Sequence, residues 1–296
     1  MQTRRMFLGV AAAAGCLPAR APRIEKTLVF RSGENGYHTF RIPALVETRK
    51  GTLLAFCEGR KSSRSDTGDI DIVLRRSRDK GRTWSPMTVV ADHGADTIGN
   101  PCPVVERSTG RILLSLTGNP GNMKESQIAE RASGGTRTVW IASSDDDGLT
   151  WSLPQKMPEG MPGPAKNKPV CLPGGRIISP SSIENGLSWN AHMEISDDDG
   201  KTWIKVPLDT TTGYRLIQPA LLILNDATLL ALMRSDQDCL VESRSDDGGN
   251  TWNRPVKTSI LNPNAGIDAV TLSNGLHLLV YNPAVSGKEW SDGRSK

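Results

Sequence analysis

Seven residues have the types and placement to meet an anion: Arg41, Arg60, Arg234 and Arg294, with Asp66, Glu184 and Gln218 beside them. A guanidinium offers a planar fork of N–H donors that pairs with a carboxylate in bidentate fashion, so several arginines and few acids at one mouth suit an anionic ligand. Rival chemistries lack their signatures: there is no nucleotide-binding glycine loop, no Ser-His-Asp order and no zinc motif. The five cysteines, at 16, 57, 102, 171 and 239, have no CxxC spacing and read as buried free thiols. Neither a metal nor a cofactor is expected.

An internal repeat must bring these residues together. The pattern Ser-x-Asp-x-Gly-x-Thr-Trp occurs as SRDKGRTW from Ser77, SDDDGLTW from Ser144, SDDDGKTW from Ser196 and SDDGGNTW from Ser245. Each box follows a short alternating or β-branched run, such as residues 70–75, 138–142 and 191–195, and so reads as a turn closing a hairpin. Asp79, Asp146, Asp198 and Asp247 could suggest calcium, but turn chemistry accounts for every fixed position: Asp and Ser bond nearby backbone, Gly admits positive φ, and Trp packs between units. A strand-turn-strand element also recurs, starting at Ile42, Cys102, Lys168, Gln218 and Ile267. Each complete unit is a four-stranded antiparallel meander of propeller-blade size, and a β-sandwich is the weaker alternative. If the boxes lie at one end of the units, the residues before strand one and after strand two gather at the other, and those are the seven residues above.

Composition agrees with a turn-rich globular chain: 296 residues, 37% apolar, with 29 Gly and 19 Pro. Three of the four net positive charges come from Arg4, Arg5 and Arg20, leaving +1 for the rest and no electrostatic footprint for nucleic acid. Thr3-Arg4-Arg5-Met6-Phe7-Leu8, then an apolar stretch through Gly15, has the order of a twin-arginine export signal. Residues 1–21 are therefore expected to be an address and 22–296 the folded domain. The destination would be the periplasm, cell surface or medium, with Ala19-Arg20-Ala21 as a cleavage site or Cys16 as a lipid anchor. No later run approaches a transmembrane span.

Phe40-Arg41-Ile42-Pro43, Glu58-Gly59-Arg60 with Asp66 six places on, and the four boxes together resemble the sialidase (neuraminidase) family from about residue 24 onward. The resemblance implies a six-bladed β-propeller acting as an exo-α-sialidase on terminal sialic acid of glycoproteins and glycolipids, monomeric and without a cofactor. Carried across, Arg41, Arg234 and Arg294 would clamp the sugar carboxylate, Arg60 would line the same subsite, and Asp66 would be the acid/base. Asp69 and Asp71 compete with Asp66, although alternation puts Asp71 inside a strand.

The nucleophile is where the pattern departs. Sialidases attack with a tyrosine whose proton a glutamate withdraws. The glutamate should open the strand before Arg234, where this chain has Ile217-Gln218-Pro219, and Gln218 cannot act as a base. Tyr37, Tyr214 and Tyr281 all come too early, and Tyr281, ending an apolar strand, reads as core. From Lys166 onward the sequence is similar to sialidase-like BNR-repeat proteins, where Glu184 could supply a carboxylate. Two alternatives follow: a non-catalytic glycan-binding propeller, and a glycosidase for another acidic sugar using Glu184 and Asp66. The repeat stops halfway through its fifth unit, so the propeller is expected to be incomplete at its C-terminus, even with a strand over 24–31 closing the ring.

Overall fold

The structure, a computed structural model, describes residues 25–124, 127–128, 137–157, 167–185 and 188–285, without the side chains at 184, 185 and 188. The expected export signal, Cys16 and Arg294 lie outside the described residues. The chain is all-β. Strands β1 (Thr39–Glu47), β2 (Leu53–Arg60), β3 (Ile70–Ser77) and β4 (Thr88–Ala91) form an antiparallel meander. The order recurs in β5 (Thr97–Val105), β6 (Ile112–Asn119), β7 (Thr138–Ser144) and β8 (Gln155–Lys156), tied to the first sheet by one parallel bridge, Ile70 to Thr97. A third sheet holds β9 (Val170–Cys171), β10 (Ile177–Asn185), β11 (Ser188–Ser196) and β12 (Ile204–Pro207). The fourth holds β13 (Leu216–Ile223), β14 (Leu229–Ser235), β15 (Cys239–Ser245) and β16 (Val256–Leu261), and the hairpin β17 (Asp268–Thr271) and β18 (His277–Val280) follows. No described helix is long and apolar enough to cross a membrane.

Successive sheets pack face to face. Leu54, Phe56, Ile72 and Leu74 meet Ile98, Ile112, Leu114 and Leu116, while Leu113, next along β6, turns the other way to meet Cys171 and Ile177 of the third sheet. Because side chains alternate across a strand, a sheet covered on both sides must be apolar on both, which explains the continuous burial of β6. Each fully buried Leu or Ile contributes about 1.5–3 kcal/mol. The first strands of all five sheets border one central cavity of about 280 Å³, from Leu45–Glu47 of β1 to Ala269–Thr271 of β17.

Two expectations are corrected. Residues 25–38 contain no strand; this segment lies across the outer face of the first sheet, where no ladder partner is available, and Phe30 packs there with Tyr37, Phe40, Cys57 and Val73. Tyr281 is 39% exposed rather than core, since it follows β18 on a hairpin whose outward residues Val270, Leu278 and Val280 are also exposed.

Each box closes the turn between the third and fourth strands of its sheet. In the third sheet Ser196 Oγ donates to Asp198 Oδ1 at 2.9 Å, and Asp198 accepts from Thr202 N (2.8 Å) and Thr202 Oγ1 (2.6 Å). Asp79, Asp146 and Asp247 make the same bonds within their own turns. The fixed glycine has two reasons to be there. Gly200 has φ +80, and a Cβ on it would lie 2.5 Å from Leu113 Cδ1 of the preceding sheet.

Candidate active site

At the strand ends opposite the boxes lies a cavity of about 380 Å³ bordered by the four sheets and by Asn264 of the loop before β17. A repeated backbone device opens it. In β1, β5 and β13 the ladder breaks between Arg41 and Ala44, Gly99 and Cys102, and Ile217 and Ala220. Each break contains an X-Pro pair, Ile42-Pro43, Asn100-Pro101 or Gln218-Pro219, because proline has no N–H for the ladder and the strand bulges around it. The residue before each proline is left-handed, with φ of 53, 52 and 52, and all three border the cavity. For a β-branched residue such as Ile42 this backbone is an outlier, of the kind that clusters where function requires it.

Arg60 is the hub of the first sheet's contribution. Its Nε and Nη2 donate to Glu58 Oε2 at 3.0 and 2.6 Å, and Nη1 donates to the carbonyls of Arg64 and Ser65, both at 2.7 Å. Nη2 also lies 2.7 Å from Asp66 Oδ1. The guanidinium thus makes four hydrogen bonds and one further close ion-pair contact within the protein, and Arg60 is 2% exposed, so it shapes the loop carrying Asp66. Arg41 Nη1 donates to the same Asp66 oxygen at 2.9 Å. Glu58, itself buried, turns its other oxygen to the backbone N of Asn100 at 2.9 Å. Gly99 is required beside it, since a Cβ there would fall 2.5 Å from Glu58 Oε1.

Across the cavity, Arg234 of β14 donates from Nη1 to Gln218 Oε1 at 2.6 Å and from Nε to Asn264 Oδ1 at 3.0 Å. Asn167 braces the Gln218 bulge, its Nδ2 donating to the carbonyls of Gln218 and Pro219 at 2.7 and 2.9 Å. The border carries four arginines, Arg41, Arg60, Arg137 and Arg234, against two acids, Glu58 and Asp66, an excess that favours anions.

The fold thus brings together Arg41, Arg60, Asp66, Gln218 and Arg234. Glu184 is paired with Trp189 in the β10–β11 ladder, its side chain outside the description, and Arg294 is outside the described residues. Asp71 is buried, accepting from Tyr37 Oη at 2.6 Å, and its carboxyl is shifted up by burial; Asp69 lies 2.9 Å from Lys61. Neither borders the cavity. None of the three tyrosines does either, and burial plus Asp71 pushes the Tyr37 phenol well above its usual value. Glu58 and Arg137 are functional candidates that the sequence reading did not select. Glu58 had a signal, since it stands two residues before Arg60 on a strand and shares its face.

Comparison with known proteins gives a consistent picture. A family profile described as BNR repeat-like domain matches residues 51–296. An exo-alpha-sialidase of Arthroderma benhamiae is 32% identical over 174 residues, covering 51% of this chain and 42% of that protein. Sialidase-2 of Mus musculus is 35% identical over 210 residues, covering 62% and 54%. The Hadza microbial sialidase Hz136 shares the fold with a TM-score of 0.73 at 24% identity, over 85% of this chain and 54% of that one. A protein of unknown function from Dyadobacter fermentans aligns with a TM-score of 0.68 at 20% identity, over 82% and 75%. The chain spans about half the length of the curated relatives it matches.

Proposed function

Because the chain belongs to the BNR repeat-like domain family and is a sialidase-type BNR-repeat protein, we propose that its cavity takes the carboxylate of a terminal sialic acid and supports exo-α-sialidase chemistry on glycoproteins and glycolipids. The observation that carries this reading is the Asp66 carboxylate held between Arg41 and Arg60 at a cavity bordered by four arginines and two acids. Arg41, 42% exposed at its side chain, and Arg234 across the cavity supply charge for a ligand carboxylate, and Arg294 is the third arm by resemblance. The four sheets and the hairpin are blades of a six-bladed propeller, a reading supported by the central cavity that their first strands share.

Asp66 acts as the acid. Its Oδ1 accepts from Arg41 Nη1 and lies 2.7 Å from Arg60 Nη2, which leaves Oδ2 as the oxygen that gives the proton. That proton passes to the glycosidic oxygen as its bond to the anomeric carbon breaks, and Asp66 regains a proton from the water that adds to that carbon. A second reading, glycan binding without turnover, is favoured by one feature: the partner of Arg234 is the amide of Gln218, which cannot deprotonate a phenol.

A fluorogenic sialoside separates the two. On the first reading the protein turns it over, and Asp66→Ala lowers the rate about 10²–10⁴-fold. Binding of free sialic acid without turnover, lost in Arg41→Ala, selects the second. Neither turnover nor binding rejects both.

A further inference from the structure

We propose that Trp189 is a carbohydrate platform, on which the C–H face of the acidic sugar rests while the arginines hold its carboxylate. The inference rests on the reading above and narrows it to a ligand with a sugar ring. Among the described residues Trp189 is the only aromatic side chain bordering an otherwise polar cavity. Its placement has no structural duty of the kind other tryptophans carry. Trp84, Trp151, Trp203 and Trp252 belong to boxes, and Trp140 packs into the core between the first two sheets.

The ring is also fixed in advance. The Arg215 guanidinium stacks on it, with its carbon 3.9 Å from the ring centroid, and Arg215 does not border the cavity, so it supports the indole from outside. Arg215 is itself anchored where β13 begins, its backbone N donating to Asp236 Oδ1 at 3.2 Å. On the strand side, Trp189 stands one pair below the tip of the β10–β11 hairpin, whose ladder continues to Asn185 and Ser188. An indole face is electron-rich and meets the slightly positive C–H hydrogens of a pyranose, whereas a small carboxylate without a ring has no such face. Trp189 stands two sheets round from Arg41 and Asp66, so a sugar held by the first sheet lies between them.

Calorimetry with free sialic acid, joined to tryptophan fluorescence, tests this on the full chain. Trp189→Ala is expected to weaken binding about tenfold, equivalent to about 1.4 kcal/mol. Trp189→Phe, which keeps an aromatic face, should bind within about threefold of wild type while losing the ligand-induced change in fluorescence, and Arg215→Met should weaken binding about threefold. A merely structural tryptophan would leave that fluorescence change intact in Trp189→Phe. If Arg41→Ala abolishes binding while both Trp189 variants keep wild-type affinity and fluorescence response, the platform is overturned and the proposed function stands. If wild type binds no sialic acid, both fall.

Discussion

The two ends of the sheets are built on opposite logics. At the box end the same eight-residue turn recurs four times with the same hydrogen bonds, and each aspartate is satisfied within its own turn. At the cavity end the repeat survives only in the backbone, as three X-Pro bulges, while every side chain they aim is different: Ile42, Asn100 and Gln218. The lesson is that repetition marks the residues that hold the sheets together, and its breakdown marks those that meet a ligand. At the cavity end Glu58 ties its buried pair with Arg60 to the backbone N of Asn100 in the second sheet, whereas at the box end neighbouring sheets are joined through residues beside the fixed aspartates, as Asp147 accepts from Thr52 and Arg76 of the first sheet.

That contrast is tested most severely at Glu58. Removing it in Glu58→Ala leaves the buried Arg60 guanidinium without its main partner, and breaking a buried ion pair costs about 3–5 kcal/mol. Urea unfolding should register that loss. Sialic-acid binding should vanish as well, because Arg60 no longer fixes the loop that carries Asp66. If stability falls but affinity is kept, the site does not depend on that tie and the contrast fails.

Gly200→Ala breaks the other end. A Cβ at a left-handed residue and 2.5 Å from Leu113 Cδ1 forces a shift in a packed core, at roughly 2–4 kcal/mol. The affinity of the folded protein for sialic acid should stay at the wild-type value, measured by calorimetry well below the midpoint of unfolding. Reduced affinity in this variant would mean that the boxes also set the geometry of the cavity.

What was legible in the sequence follows the same division. The boxes and hairpins repeat, so their turns, strand order and relative ends could be read from spacing alone, and the positions of Arg41, Asp66, Gln218 and Arg234 followed from strand direction. Glu58 stood two residues from Arg60 and shared its face, but nothing in the text says that a strand carboxylate will be buried against a neighbouring sheet's backbone. Arg137 and Trp189 were silent because each enters the cavity at the start of a third strand, where the repeat carries no fixed residue. The strand expected over 24–31 failed for a related reason: an apolar run does not say whether it joins a ladder or lies across a face.

The smallest effect belongs to the boxes and is a matter of pH. Asp79, Asp146 and Asp198 are held down to about 2, first by the hydroxyl of the box threonine and then by its backbone N–H, and Asp247 is shifted the same way. In the unfolded chain such carboxyls titrate near about 3.9. Between about pH 4 and pH 2 the unfolded state therefore binds more protons than the folded one, so the contribution is complete above that window and is lost as pH falls through it. Asp198→Asn removes one titrating group while keeping an acceptor in the turn. Its melting temperature should fall less steeply than that of wild type from pH 4 to pH 2, by about 2 °C or less because the group is at the surface, with parallel curves above pH 5. Glu106, also held down to about 2, titrates in the same window in both proteins, so the difference between the curves isolates the box. Superimposable curves would move the acid sensitivity away from the repeated end, to unrepeated carboxylates such as Glu106.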